Sequence, residues 1–273
     1  MRSLHDENRI SKSRVPNNRH AWTLIELLVA VAIMALLISI LLPQLSTARH
    51  VTQSTMCLSQ LRQLAIASHT YMAAHSEFYP PAYYPMKTVN EQTTSLSWDF
   101  TTTIDWATEK TVVKPGLLWQ GQTDVRVQQC PSISRDAGWG SDPYTGYNYN
   151  TSYVGTFQPG RNGKDPILPV RQNQIRRPTG CAIFGDGGLS GFNAERTNKY
   201  MRSPRASRDT LESASIREAG VQSYRHLKKT NVAFADGHAE PQAKRFTNMG
   251  DYQPNITDDC GFLSEDNSMY WLD

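Results

Sequence analysis

Residues 22–42 read WTLIELLVAVAIMALLISILL, and this stretch decides the fold of the N-terminal part of the chain. Glu26 is the one charged residue in it. At about 1.5 Å per residue the stretch forms about 30 Å of helix, which matches the apolar core of a bilayer. It therefore predicts a single membrane-spanning helix over residues 22–42.

Residues 1–21 differ sharply from this helix, because they hold five basic and two acidic residues. The whole chain has a formal net charge of only +3. The net positive charge thus lies ahead of the apolar run, as in segments that stay in the cytoplasm. We expect a cytoplasmic leader over 1–21, a single pass through the inner membrane, and a head in the periplasm or on the cell surface. The nearly neutral remainder indicates no nucleic-acid partner.

Residues 43–76 are expected to continue the helix with an amphipathic face. Leu58, Leu61 and Leu64 recur at spacings of three, while Ser59, Gln60 and Arg62 occupy the other face. Pro43 separates this part from the apolar run. A proline inside a helix removes one backbone hydrogen bond, so we expect a kink there in one continuous helix.

Residues 77–273 change in texture, with frequent glycine, proline, asparagine and aromatic residues. Residues 180–184 and 232–234 have the composition of short strands, and Asp236-Gly237 is typical of a hairpin turn. We predict one α+β head domain. The second half of the long N-terminal helix would pack on an antiparallel β-sheet with long loops.

Three interpretations of the apolar run compete: a secretory signal, a plain membrane anchor and a prepilin leader. The run is too long for a secretory signal, and no Ala-x-Ala cleavage site follows it. A plain anchor leaves Glu26 unexplained, because a carboxylate inside an apolar helix is costly.

Residues 21–29, AWTLIELLV, resemble the processing motif of type IV prepilins and type II secretion pseudopilins. The resemblance implies cleavage between Ala21 and Trp22 by a prepilin peptidase, which then N-methylates Trp22. Glu26 falls at the fifth mature position, where the family uses a glutamate that faces a neighbour's N-terminus in assembly. Pro43 matches the family's kink-prone proline. The chain departs from the family in Ala21 and Trp22, where glycine and phenylalanine are usual.

A second resemblance lies at residues 225–240, RHLKKTNVAFADGHAE. His226, nine residues and then Asp236-Gly237 resemble a C-terminal motif of a large group of prepilin-type proteins. Looser agreement is found in three further segments: residues 57–65, 130–131 and 184–187. This resemblance names a class and leaves the role of the head open.

The motif residues allow two interpretations. Asp186, His226 and Asp236 could bind Ca²⁺ or another divalent cation, since some pseudopilins carry a calcium site. Alternatively, Asp236 caps a tight turn, Gly237 takes a positive φ and His226 bonds to a loop. Apart from this possible cation, we expect no cofactor to be required. The sequence shows no nucleophile with a neighbouring base, so we expect no enzyme.

The four cysteines contain no CxxC pair, which disfavours a zinc site built on short cysteine spacing. An exported head makes disulfides feasible. Of the three complete pairings, sequence chooses none; Cys130 with Cys181 is the candidate within the presumed body of the head. Free buried thiols are the alternative.

These observations predict a structural subunit of a type II secretion or type IV pilus-like filament. Its expected partners are the peptidase/methyltransferase, other pilin-like subunits and inner-membrane components of the secretion system. The alternative is a membrane-anchored protein that displays a carbohydrate- or metal-binding head. The density of aromatic residues over 78–153 fits either sugar stacking or an aromatic core.

Overall fold

The computed structural model describes residues 22–119, 125–133, 143–160, 165–190, 197–205, 217, 219–247 and 256–273. The chain divides into two compact units, Met1–Thr47 and Ala48–Asp273. We call the second one the head unit. Helix α1, Leu24–Ala74, belongs to both, because it begins in the first unit and ends in the second.

The first part of α1 is exposed on all sides. Its leucine, isoleucine and valine side chains include Leu24, which is 78% exposed, and Leu42, which is 62% exposed. Among the described residues this helix alone is long and apolar enough to cross a membrane. It runs without interruption through Pro43, whose carbonyl accepts a hydrogen bond from the Thr47 hydroxyl at 3.2 Å.

The second part of α1 has one buried face. Its members are spaced by three or four residues in most cases: Cys57, Leu61, Leu64, Ala65, Ser68 and Met72. The helix ends at Ala74, where Ser76 and Glu77 take positive φ angles of 55° and 65° and reverse the chain. Glu77 N–H donates to the Met72 carbonyl at 3.0 Å, which satisfies one of the last helical carbonyls.

The buried face of α1 packs against a five-stranded sheet. The strands are β5 (Tyr147–Asn150), β6 (Ala182–Asp186), β7 (Tyr200–Met201), β9 (Thr230–Phe234) and β10 (Ala239–Gln242). Their spatial order is β10-β9-β6-β5-β7, with the β5–β7 pair parallel and the others antiparallel. β5, β6 and β9 are buried along their whole length, so both sheet faces are covered there.

Asp236 and Gly237 form the turn that joins β9 to β10, as the sequence predicts. Gly237 has a φ of +92°, a value that favours glycine. Phe234 N–H donates to the His238 carbonyl at 2.9 Å, and Ala239 lies opposite Ala233. The hairpin is thus set by a local signal.

A separate antiparallel sheet is formed by four consecutive strands: β1 (Lys87–Val89), β2 (Gln92–Leu96), β3 (Phe100–Asp105) and β4 (Lys110–Pro115). β8 (Gln222–Ser223) and β11 (Cys260–Gly261) pair as a third, short sheet. Together with α1, these sheets confirm the predicted α+β fold with a long N-terminal helix.

Aromatic residues fill much of the head core. Trp98 is 1% exposed, and its ring centroid lies 5.7 Å from that of Tyr149 and 5.3 Å from that of Phe184. Further buried aromatics of residues 78–153 are Tyr79, Phe100, Trp119, Tyr147 and Tyr153. Trp106, at 60% exposed, is an exception. Among the described residues of this segment, the aromatic density therefore mainly reflects packing of the core.

Candidate functional site

The start of α1 carries the predicted processing residues. Trp22 and Glu26 are exposed, whereas Ala21 lies outside the described residues. Thr23 and Glu26 form a capping box: Glu26 Oε2 accepts hydrogen bonds from the Thr23 N–H and hydroxyl, each at 2.8 Å, and Glu26 N–H donates to Thr23 Oγ1 at 3.2 Å. Glu26 thus has a role in starting the helix. Thr23 is a site residue that was not predicted, although the Thr-x-x-Glu pattern in the sequence is the signal for such a box.

A second constellation lies inside the head unit. Four buried residues with metal-binding atoms come together there: Cys57, Cys130, Asp186 and His226. His226 is 3% exposed and the other three are fully buried. We call this set the Cys-His-Asp cluster.

The four members come from distant segments. Cys57 lies on the buried face of α1, and Cys130 follows the 3-10 helix Val125–Gln128. Asp186 is the last residue of β6, and His226 stands four residues before β9. The cluster therefore exists only where the helix, a loop and the main sheet meet.

The distances within the cluster are short. Cys57 Sγ lies 3.0 Å from Cys130 Sγ, and Cys130 Sγ lies 3.8 Å from His226 Nε2. His226 Nε2 lies 3.5 Å from Asp186 Oδ2. One ligand atom from each residue falls within 4.8 Å of every other.

Local backbone features hold two of these side chains. A Cβ at Gly146 would lie 2.3 Å from the Cys130 Cβ, so glycine is required for the loop to approach Cys130. His226 and Lys229 exchange backbone hydrogen bonds at 3.1 and 3.0 Å across a tight turn. Leu227 and Lys228 in that turn both have positive φ, as in a type I′ hairpin turn.

Asp186 is held by its neighbours on one side only. Its Oδ2 accepts the Asn231 backbone N–H at 2.7 Å. Its Oδ1 lies 3.5 Å from Arg225 Nη2 and, among the described residues, receives no hydrogen bond. Arg225 is anchored by donating to the carbonyls of Gly187 and Gly146 at 2.9 and 2.5 Å. The carboxylate is thus neutralised but incompletely bonded.

The electrostatics of the cluster favour a thiolate on Cys130. Burial by itself raises the pKa of Cys130, but a hydrogen bond from Cys57, the positive Arg225 and a bond from His226 together hold it well below the usual range. The pKa of Cys57 is raised, first because its thiol bonds to Cys130 and then because it is buried. Burial lowers the pKa of His226, but bonds to Asp186 and Cys130 outweigh this and raise it to about 9.

Such a set of groups can do two kinds of chemistry. Two sulfurs, an imidazole and a carboxylate are a ligand set for a tetrahedral transition metal. Two neighbouring thiols could alternatively oxidise to a disulfide. The nearly complete burial closes the cluster to a substrate.

The structure does not bring together all three residues of the cation site that the sequence suggests. Asp186 and His226 do come together, but Asp236 lies at the β9–β10 turn, where its Oδ1 is 2.6 Å from His238 Nδ1. That arrangement is the turn-capping alternative. Gly237 lies in the same turn with its positive φ.

The arrangement of the cysteines also differs from the suggested pairing of Cys130 with Cys181. The structure brings Cys130 next to Cys57, while Cys181 Sγ lies 3.8 Å from the Tyr270 carbonyl. All four cysteines are buried and free in the structure. Cys57 was missed as a site residue; its place on the apolar face of the predicted amphipathic helix was the available signal.

Comparison with known proteins bears on the N-terminal segment. Residues 16–42 match the prokaryotic N-terminal methylation motif. Over this segment the chain is similar to prepilin-type proteins. No curated protein and no solved structure matches the chain. The motif supports a prepilin-type protein and implies processing by prepilin peptidase and assembly with other pilin subunits. The apolar α1 is consistent with a single-pass membrane anchor.

Proposed function

We propose that this chain is a structural subunit of a type II secretion or type IV pilus-like filament. The observation that carries the proposal is the methylation motif at residues 16–42, placed at the start of an apolar helix that the described residues leave uncovered. In this proposal the subunit is cleaved before Trp22, N-methylated there, and stacked through the first part of α1. Its role is mechanical, and it has no enzymatic activity.

The uncovered surface supports assembly. Apolar side chains point outward around the whole circumference of the first part of α1, among them Ile25 at 73% and Leu41 at 64% exposed. Surface of this kind is covered by lipid or by other helices. A filament subunit needs both, because it waits in the membrane and is then extracted into a bundle of neighbouring helices.

The environment of Glu26 is compatible with a contact between subunits. Both hydrogen bonds from Thr23 go to Oε2. Oε1 can therefore accept a hydrogen bond from the amine of a neighbour's Trp22 while the capping box stays intact. The carboxylate would then serve the helix start and the assembly contact at the same time.

Mass spectrometry of the native assembly tests the processing step. Protein extracted from membranes of cells with an active prepilin peptidase should begin at Trp22 and carry one N-methyl group. An N-terminus at Met1 in such cells would contradict the proposal. The same preparation identifies the co-purifying subunits and hence the machine to which the chain belongs.

Reporter fusions test the proposed orientation. The basic residues 1–21 are expected in the cytoplasm and the head across the inner membrane. A reporter placed after Asp273 should be active in the periplasm or at the cell surface. Reporter activity in the cytoplasm would show the opposite topology and would contradict the filament proposal.

A further inference from the structure

We propose that Cys57, Cys130, Asp186 and His226 bind one zinc ion in a closed structural site within the head unit. This inference is independent of filament assembly, since every ligand lies in Ala48–Asp273. It also differs from the oxygen-rich cation site that the sequence suggested.

The geometry fits a tetrahedral ion. With Zn–S bonds of about 2.3 Å and Zn–N or Zn–O bonds of about 2.0–2.2 Å, neighbouring ligand atoms lie about 3.3–3.8 Å apart. The distances from His226 Nε2 to Asp186 Oδ2, 3.5 Å, and to Cys130 Sγ, 3.8 Å, fall in or at the edge of this range. The two sulfurs, at 3.0 Å, need to separate by about 0.8 Å, which small side-chain rotations provide.

The charges also fit. Two thiolates, one carboxylate and Zn²⁺ sum to one negative charge, with His226 neutral as a ligand. Arg225, whose Nη2 lies 3.5 Å from Asp186 Oδ1, supplies the compensating positive charge. Buried charges are tolerated when they are paired or bound to a metal, so the loaded site is balanced.

The incomplete bonding of Asp186 points to a ligand. Its fully buried Oδ1 receives no hydrogen bond from the described residues, and a buried polar atom without a partner costs about 1–3 kcal/mol. Coordination by Oδ1 together with Oδ2, with the carboxylate acting as one ligand, would remove this cost.

The donor types select the metal. Ca²⁺ takes six to eight oxygen ligands, whereas the cluster offers one carboxylate and two sulfurs. Sulfur and imidazole together favour zinc, and four protein ligands in a buried setting are typical of a structural rather than a catalytic site. The ion would tie α1 to the end of β6 and to the turn before β9, and so stabilise the head.

The first experiment is metal analysis of the full-length chain, purified in detergent without chelators or reductants. Inductively coupled plasma mass spectrometry should find about one zinc per chain. Cys57→Ser and Cys130→Ser should each lower zinc content at least tenfold in a zinc-buffered solution, because loss of an outer-shell partner alone costs about 10–100-fold in affinity. Cys181→Ser, at an equally buried cysteine outside the cluster, and Asp236→Asn are matched controls that should retain zinc.

The second experiment needs no variant and therefore does not depend on a mutant's ability to fold. X-ray absorption at the zinc edge of the unaltered protein should report two sulfur and two nitrogen or oxygen neighbours. Zinc surrounded by oxygen and nitrogen alone would overturn the proposal. So would full zinc content in the Cys57→Ser, Cys130→Ser double variant, or a metal-free native protein whose tryptic peptides reveal a Cys57–Cys130 disulfide.

Discussion

The two parts of helix α1 contrast within a single continuous element. Before Thr47 the apolar residues surround the helix, and Leu37 is 53% exposed. After Ala48 the buried apolar residues form one stripe, in which Leu61 and Leu64 are 0% exposed. The second part finds its partner in the sheet of the same chain. Within the part of the chain that the structure describes, the first part has no such partner, so its apolar surface is left for lipid or for other subunits to cover.

Among substitutions that test the difference between the two parts of α1, Glu26→Leu is expected to have the largest effect, a loss of assembly. The substitution removes the only charge from the apolar run, so insertion of the monomer should be unchanged or improved. A neighbour's Trp22 amine would lose its partner, and assembly should fail. Crosslinking between subunits through an introduced Leu45→Cys should therefore fall to background, while the head stays folded.

Thr23→Ala is the matched control, because it removes the two capping bonds made by the Thr23 hydroxyl and keeps both the backbone N–H bond and the carboxylate. Crosslinking should persist in this variant. Equal crosslinking in wild type and Glu26→Leu would show that Glu26 serves the helix start alone, and the first part of α1 would then be a plain anchor.

The next effect compares equal truncations in the two parts. Leu64→Ala should destabilise the head by about 2–5 kcal/mol, because it leaves a cavity against the sheet. Leu37→Ala should leave the stability of the head unchanged. Denaturant unfolding in detergent, followed by tryptophan fluorescence, measures both. A similar loss of stability in the two variants would contradict the distinction between the two parts of α1.

A smaller effect is expected at the hairpin that receives the second part of α1. The Ala235 and Ala239 carbonyls bond to His69 and Arg62 of the helix, both at 3.1 Å, and Gly237 turns the chain between them. Gly237→Ala meets open space but keeps a φ of +92°, so it should cost about 1–2 kcal/mol. Gly180→Ala is the control, since its nearest contact would be an ordinary 3.7 Å and its φ is not in the positive range. Thermal unfolding should show a lower stability for Gly237→Ala than for Gly180→Ala. Equal stability of the two variants would contradict the requirement for glycine in this turn.

Much of the fold could be predicted because its signals are local. The uninterrupted apolar run specified the first part of α1, and the three- and four-residue spacing specified the face on which Leu61 and Leu64 pack. Asp236-Gly237 specified a turn because a positive φ is cheap for glycine. The bounds shifted by a few residues, as with β6, which begins two residues later than the predicted run.

Glu26 shows how a local signal can have two meanings. The resemblance to prepilins assigned it to assembly, and the pattern Thr-x-x-Glu also assigns it to the helix start. Both follow from sequence alone, and they do not exclude each other because the two bonds from Thr23 use a single carboxylate oxygen.

The Cys-His-Asp cluster, in contrast, has no local signal in the sequence. Cys57 and Cys130 are 73 residues apart, and Cys130 and His226 are 96 apart, so no short spacing marks them. Asp186 and His226 could be suspected together, but Asp236 seemed an equal candidate because it is close to His226 in sequence. The apolar helix, the processing motif and the turn can all be predicted from the amino-acid sequence, since they depend on neighbours along the chain. Only tertiary structure decided which cysteines, carboxylate and imidazole meet, because that depends on how α1 packs across β6 and β9.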